Sequence, residues 1–315
     1  MPFSGTLGGV IPANLLPFDQ HLEIDETSLR RHLRGLLDLD GVTGITTNAH
    51  ATEVATLTTE EQRRLLDITI EEADGRVPVI AGVYEDGSAK AARIAEAAER
   101  AGADALLIFP SGVFDFGSQL RPEVAYAHYA TIAEATSLPM VVFVYPEASS
   151  LRIGTDALLR ICSEIDNVVA VKEWSNNIIS YERNYRALKA LDKHIAVLSS
   201  FSRSLFASLC IGADGILSGH GSVIADLHVE LFRAMEKQDL AAARRTWDRI
   251  QPFGEVCYDD PFLDGHNRMK EALAYLGRVD SAHVRPPLVR VGEPERARIR
   301  AAVDTARLPR ERPGG

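Results

Sequence analysis

Short apolar runs alternate with helical patterns along most of the chain. The runs are GGVIPANL (8–15), GITT (44–47), VPVIAG (77–82), ALLIF (105–109), MVVFV (140–144), VVAVK (168–172), IAVLS (195–199) and GILS (215–218). Their brevity and β-branched content suit strands of a parallel sheet buried on both faces. Helical segments separate them. LTTEEQRRLLDITIEEA carries Thr58 and Glu61 at capping-box spacing. SAKAARIAEAAERAG starts at Ser88 and ends at Gly102, a residue suited to a left-handed C-terminal turn. RPEVAYAHYATIAEA places Pro122 at a first helical position. Gly-Ala-Asp recurs just before two strands, at Gly102–Asp104 and Gly212–Asp214, as one device that ends a helix and turns the chain into the sheet. The intervening lengths vary, so this is architectural recurrence and not a solenoid repeat.

Eight βα units in this length predict a closed (β/α)8 TIM barrel. The rival is a doubly wound sheet, but GGVIPANLLPF has no GxGxxG before the first helix. Residues 1–222 are read as the barrel strands and intervening helices. Residues 223–307 read as helices only, with breaks at the prolines: the last barrel helix and a C-terminal helical extension packed on the barrel. Residues 308–315, LPRERPGG, are expected to fray.

Composition narrows the function classes. The chain has 315 residues, 46% hydrophobic and 25% charged, which supplies ample core material. A net charge of −10 argues against a nucleic-acid partner, though a small anionic substrate needs only a local positive site. Cys162, Cys210 and Cys257 lie far apart and are expected to be reduced core thiols of a cytoplasmic protein. MPFSGTLGG has neither the basic nor the apolar region of a signal peptide, and no apolar run is long enough to span a membrane.

Chemistry in such barrels sits at the C-terminal strand ends. That rule selects NAHATE (48–53), PSGVFDFG (110–117), FVYPEAS (143–149), KEWSNN (172–177), SSFSRS (199–204) and SGHGS (218–222). Lys172 closes an apolar strand. Desolvation there would favour the neutral amine, able to attack a carbonyl and form a Schiff base. Equally, Lys172 could snorkel and pair with Glu173. Phe143 and Tyr145 share one strand face, where the Tyr145 hydroxyl could relay a proton and Phe143 could only pack. His50 and His220 could bind a carboxylate or shuttle protons, or be hydrogen-bonded structural residues. A His50–His128–His220 metal site has no supporting HxH or HExxH spacing, and no metal is expected. Trp174, Phe114, Phe116 and Phe201 could line a hydrophobic pocket or cap the core. Gly219 and Gly221 would admit a ligand close to the backbone, or make a tight turn.

The order of these features resembles the dihydrodipicolinate synthase/N-acetylneuraminate lyase family of class I aldolases. The likeness runs from about Phe3 to RPPL at 285–288 and rests on PANLLPFD, GVTGITTNAHATEVATLTTEE, VPVIAGV, AGADALLIFP, LPMVVFVYP, NVVAVKE and GADGILS in sequence. The resemblance implies that Lys172 is the Schiff-base lysine. It implies that the strand-two loop, here Ala49-His50-Ala51-Thr52-Glu53, holds the carboxylate of a 2-oxo acid. Departures accompany it. The two family threonines fall on His50 and Ala51, and the proton-relay tyrosine falls on Phe143. The synthases' arginine falls on Ala148, the Gly-Asp after strand seven reads Ser200-Phe201, and the segment from Pro110 to His128 looks longer than usual.

The resulting expectation is a Schiff-base lyase acting on a pyruvate-type 2-oxo acid and an aldehyde, but not a true dihydrodipicolinate synthase. Lys172 is the nucleophile and Tyr145 or His50 the proton shuttle. Backbone groups of Ala49–Ala51 and the Leu217 carbonyl orient the acid, with Phe143, Trp174 and His220 beside it. No cofactor is required. The family resemblance implies a homotetramer or homodimer. Two alternatives stay open: a Schiff-base dehydratase or hydratase of a 3-deoxy-2-oxo acid, and a non-catalytic barrel that binds a 2-oxo acid.

Overall fold

The computed structural model describes residues 6–200 and 202–310. Eight strands form: β1 (Gly9–Pro12), β2 (Ile45–Thr47), β3 (Val79–Val83), β4 (Ala105–Ile108), β5 (Met140–Val144), β6 (Val168–Glu173), β7 (Ala196–Ser199) and β8 (Gly215–Ser218). Among the described residues the strands pair in parallel, in the order β1-β8-β7-β6-β5-β4-β3-β2. Parallel bridges Val10–Val42 and Ala13–Thr46 close the gap between β1 and β2. The result is the expected (β/α)8 barrel. Every predicted run holds a strand, and the runs are apolar throughout because one face fills the barrel and the other meets the helices. Ile11, Ile80, Leu107, Val141, Ala170 and Leu198 belong to the interior cluster, whereas Val10, Leu106, Val142 and Val171 belong to the layer beneath the helices.

The helices follow their sequence signals. α1 spans Glu26–Leu37 and α2 spans Thr59–Ala73, capped by Thr58 with Glu61 reciprocating. α3 (Ser88–Ala101) ends on Gly102 at φ 97°, and α4 (Pro122–Ala133) begins on its proline. α5 (Thr155–Glu164), α6 (Ile178–Lys189), α7 (Leu205–Ile211) and α8 (Gly221–Glu236) complete the outer ring. Gly-Ala-Asp does the same work twice. The Val79 N–H donates to the Asp104 carboxylate at 2.8 Å, and Asp104 N–H donates to the Val79 carbonyl at 2.9 Å. Val197 and Asp214 repeat this exchange at 2.6 and 2.9 Å. Each aspartate thereby ties the start of its own strand to a neighbour.

The extension comprises α9 (Leu240–Cys257), α10 (Gly265–Tyr275) and α11 (Glu293–Ala306). Two breaks do fall at prolines, around Pro261 and around Pro286-Pro287. Pro252 makes no break: it sits inside α9, which forgoes one backbone hydrogen bond and continues to Cys257. Cys162 and Cys257 are buried as expected, but Cys210 is exposed, on the side of α7 away from buried Leu205, Ser208 and Leu209. Of the tail, 308–310 are described and 311–315 are not. No helix among the described residues is long and apolar enough to cross a membrane.

Candidate active site

The site is a cavity of about 520 Å³ at the C-terminal mouth of the barrel, where Lys172 lies at its floor. Alternation along β6 turns Lys172 and Glu173 to opposite faces. Glu173 points into the layer under the helices, accepting from Asn184 Nδ2 at 3.0 Å and from Ser175 N–H at 3.1 Å. The snorkelling pair considered from sequence therefore does not form. Lys172 is 5% exposed and lies in register with Phe143 on β5, its Nζ 3.9 Å above the centre of that ring. Burial alone drives its ammonium pKa down to about 7.

Tyr145 and His50 meet. The tyrosine hydroxyl and His50 Nε2 share a short hydrogen bond across the mouth. Phe109 stands edge-on to the imidazole at 4.8 Å, and Tyr84 at 5.7 Å. Desolvation in this aromatic nest, helped by His266 and Lys172, holds His50 neutral with a pKa near 3. Burial also pushes the Tyr145 hydroxyl well above its usual value. Both groups are neutral, so either can be the donor of this hydrogen bond, the hydroxyl in one imidazole tautomer and the ring N–H in the other, as a relay requires.

The loop that carries His50 is set by local stereochemistry. Asn48 and Glu53 adopt left-handed backbone at φ 51° and 54°, bracketing the turn His50–Thr52. Thr52 Oγ1 caps it by donating to the Ala49 carbonyl at 2.8 Å. The loop lies directly against β3 at Gly82, where any Cβ would collide with the Asn48 carbonyl. Glu53 is then anchored from beyond the barrel: its carboxylate pairs with Lys270 of α10 and accepts from the Arg285 N–H at 3.0 Å. Lys270 also donates to the His283 carbonyl at 2.9 Å.

Ala49, Ala51, Phe143 and Trp174 line the cavity with the three catalytic candidates. Leu217 and His220 do not. Leu217 is fully buried in the barrel interior, packed in the cluster with Ile11 and Leu198. His220 has its ring stacked on Phe253 of α9 at 5.0 Å and near His228, because it immediately precedes α8 and packs toward the helices. His128 is on α4 beside Ser88 and Phe114, so the three histidines considered for a metal serve separate places. Among the described residues no group of three or more His, Cys, Asp or Glu is disposed to hold a metal. Phe114 is buried under His128 and Phe116 is exposed, both away from the cavity, while Phe201 lies outside the described residues. Gly219 does face the cavity: an added Cβ would stand 3.0 Å from His266 Nε2.

The strand-end rule missed the contribution of the extension. Tyr258, Phe262, Leu263 and His266 line the cavity, as do Pro287 and Leu288. His266 is held neutral by burial and by the positive charges of Lys172 and Lys270, with a pKa near 4.

A family model described as the dihydrodipicolinate synthetase family matches residues 6–306. The chain belongs to this family. A 4-hydroxy-tetrahydrodipicolinate synthase of Neisseria meningitidis serogroup B is 32% identical over 300 residues, covering 94% of this chain and 98% of that protein. The structure of a monomeric dihydrodipicolinate synthase variant superposes with a TM-score of 0.88 at 26% identity, covering 96% of this chain and 97% of that one. A prophage protein of the dihydrodipicolinic acid synthase family from E. coli K12, solved in complex with pyruvate, shares the fold at a TM-score of 0.87 and 22% identity, covering 96% of this chain and all of that one. Members of the dihydrodipicolinate synthetase family are lyases of the aldolase type.

Proposed function

We propose that the protein is a carbon–carbon lyase that works through a Schiff base between Lys172 and a pyruvate-type 2-oxo acid. The observation that carries this reading is Lys172 itself: a buried amine at the floor of an open cavity, brought near neutrality by desolvation and unpaired with the adjacent Glu173. At neutral pH a substantial fraction is the free amine that can attack a ketone. The C2 oxygen of the bound acid leaves as water, and an iminium remains. In the cleavage direction the C3–C4 bond breaks and its electrons pass to the iminium nitrogen, giving an enamine. The C4 hydroxyl gives up its proton, an aldehyde departs, and C3 takes a proton. Hydrolysis of the iminium then frees the 2-oxo acid and the amine.

The Tyr145–His50 pair is placed to move these protons, since it faces the same cavity and is neutral at both ends. His50 and His266 offer N–H groups to the substrate carboxylate, beside the backbone of the Ala49–Ala51 loop. The relatives' synthase activity is not carried over. No arginine lines the cavity among the described residues, so the carboxylate of an amino-acid semialdehyde would find no guanidinium partner. Borohydride reduction in the presence of pyruvate, followed by peptide mass mapping, is expected to leave an adduct on Lys172. An adduct on another lysine, or none with any 2-oxo acid that demonstrably binds, would overturn the proposal.

A further inference from the structure

The cavity has two walls of different kind. β2 and β6 lie four strands apart in the barrel and so face each other across its mouth. On the β2 side the wall is mostly small and apolar, Ala49, Ala51, Val54 and Ala55, with Thr56 and with His50, whose Nε2 is taken up by Tyr145. Its one charged member, Glu53, is occupied by Lys270 and the Arg285 N–H. On the β6 side a series of rings leads outward from the nucleophile. Lys172 lies over Phe143; Phe143 is 5.8 Å from Trp174 at an interplanar angle of 31°. Trp174 is 5.2 Å from Phe262 at 34°, and Phe262 stacks on Tyr258 at 5.6 Å and 20°. These four rings all border the empty volume. Successive modest tilts make them one nearly continuous aromatic surface that starts at the amine and reaches solvent at Phe262, with Tyr258 backing it.

A three-carbon 2-oxo acid would fill only the inner end of a 520 Å³ cavity, which is of the size that holds ligands of many more atoms. The rest of the space must suit the second substrate. A polyhydroxylated chain would need a hydrogen-bonding partner for each hydroxyl, but the lining is mostly apolar, and of its polar groups Glu53 is paired with Lys270 and the Tyr258 hydroxyl is bonded to Ser202, which leaves Thr56, Ser149, Ser200 and His266 for the second substrate. A flat ring would satisfy both walls, lying against the aromatic surface in offset contact with the alanine side closing over it. We propose that the second substrate is an aryl aldehyde, so that the site makes or cleaves 4-aryl-4-hydroxy-2-oxo acids.

This rests on the Schiff-base reading of Lys172. In the synthetic direction the enamine C3 forms a bond to the aldehyde carbon. The aldehyde oxygen takes up one proton to become the C4 hydroxyl, and water releases the product from the lysine. No oxidant or reductant enters. The aryl group stays on the Trp174–Phe262 surface throughout.

The test uses the intact protein. Lys172 is trapped with pyruvate and borohydride, and condensation with pyruvate is then measured for benzaldehyde and for an aliphatic aldehyde of similar size, such as hexanal. The expected result is the adduct together with a kcat/KM for benzaldehyde at least about tenfold higher. Phe262→Leu keeps apolar bulk but removes a ring at a partly exposed position, so folding is not at risk. It is expected to lower the benzaldehyde-to-hexanal ratio about two- to tenfold. An adduct with equal or better use of hexanal, or a ratio unmoved by Phe262→Leu, would overturn the aryl assignment and leave the Schiff-base reading intact. Failure to trap any 2-oxo acid would remove both.

Discussion

Two buried lysines make opposite use of the same physics. Lys172 ends β6 and is 5% exposed; Lys270 lies on α10 and is 1% exposed. Each rests against an aromatic face, Phe143 at 3.9 Å and Phe18 at 4.2 Å. Burial lowers both pKa values. Lys270 recovers part of the loss through Glu53 and stays near 8, whereas Lys172 has burial as its only resolved influence and falls to about 7. Desolvation is thus not enough to mark a nucleophile. What separates the two is the carboxylate: one amine is spent as a structural cation, and the other is left free to lose its proton beside an open volume.

The largest effect should come from removing the free amine. Lys172→Met is expected to abolish turnover, by roughly 10³-fold or more. The same substitution should leave the protein folded and change its response to pH. The folded pKa of Lys172 lies below that of the unfolded chain, about 10.4, so the native state binds fewer protons between the two values. Wild-type stability therefore gains up to roughly 1.4 kcal/mol per pH unit from this residue as pH rises from 7 toward 10. Denaturant unfolding at pH 7 and pH 9 should show that gain in the wild type and its loss in Lys172→Met.

Next comes Lys270→Met, which strands the buried Glu53 carboxylate. About 3–5 kcal/mol of stability should disappear, measured by urea unfolding, with partial recovery when Glu53→Gln is added. If the single substitution proved neutral, the contrast between the lysines would fail. The smallest effect concerns the rings. The pH profile of kcat/KM should rise through a limb near pH 7, where Lys172 loses its proton. Phe143→Leu removes the cation–π contact that favours the ammonium, so the limb should move down by about half a unit.

Much of this was legible in the sequence for identifiable reasons. Strands buried on both faces must be apolar throughout, and helix ends must be capped, so the runs, the Thr58 box and Gly102 marked the barrel directly. Lys172 stood out because a charge in an apolar run needs a reason. The Tyr145–His50 contact did not stand out, since 95 residues separate its members and only closure of the barrel joins them. His220 was over-selected: a strand-end position says which rim a residue occupies, not which side of it the ring packs against. Tyr258, Phe262 and His266 were invisible for the converse reason. Tyr258 and Phe262 lie in the connection from α9 to α10 and His266 in the first turn of α10, and nothing local distinguishes a segment that covers the barrel wall from one that roofs its mouth.

The anchoring of Glu53 carries a consequence for the order of biosynthesis. Its backbone partner Arg285 lies 232 residues downstream, and Lys270 comes from the same late segment. A chain emerging from the ribosome presents Lys172 long before the groups that complete the second-strand loop and roof the cavity. The reactive amine is made early, and the chamber that gives it a carbonyl to attack is finished last.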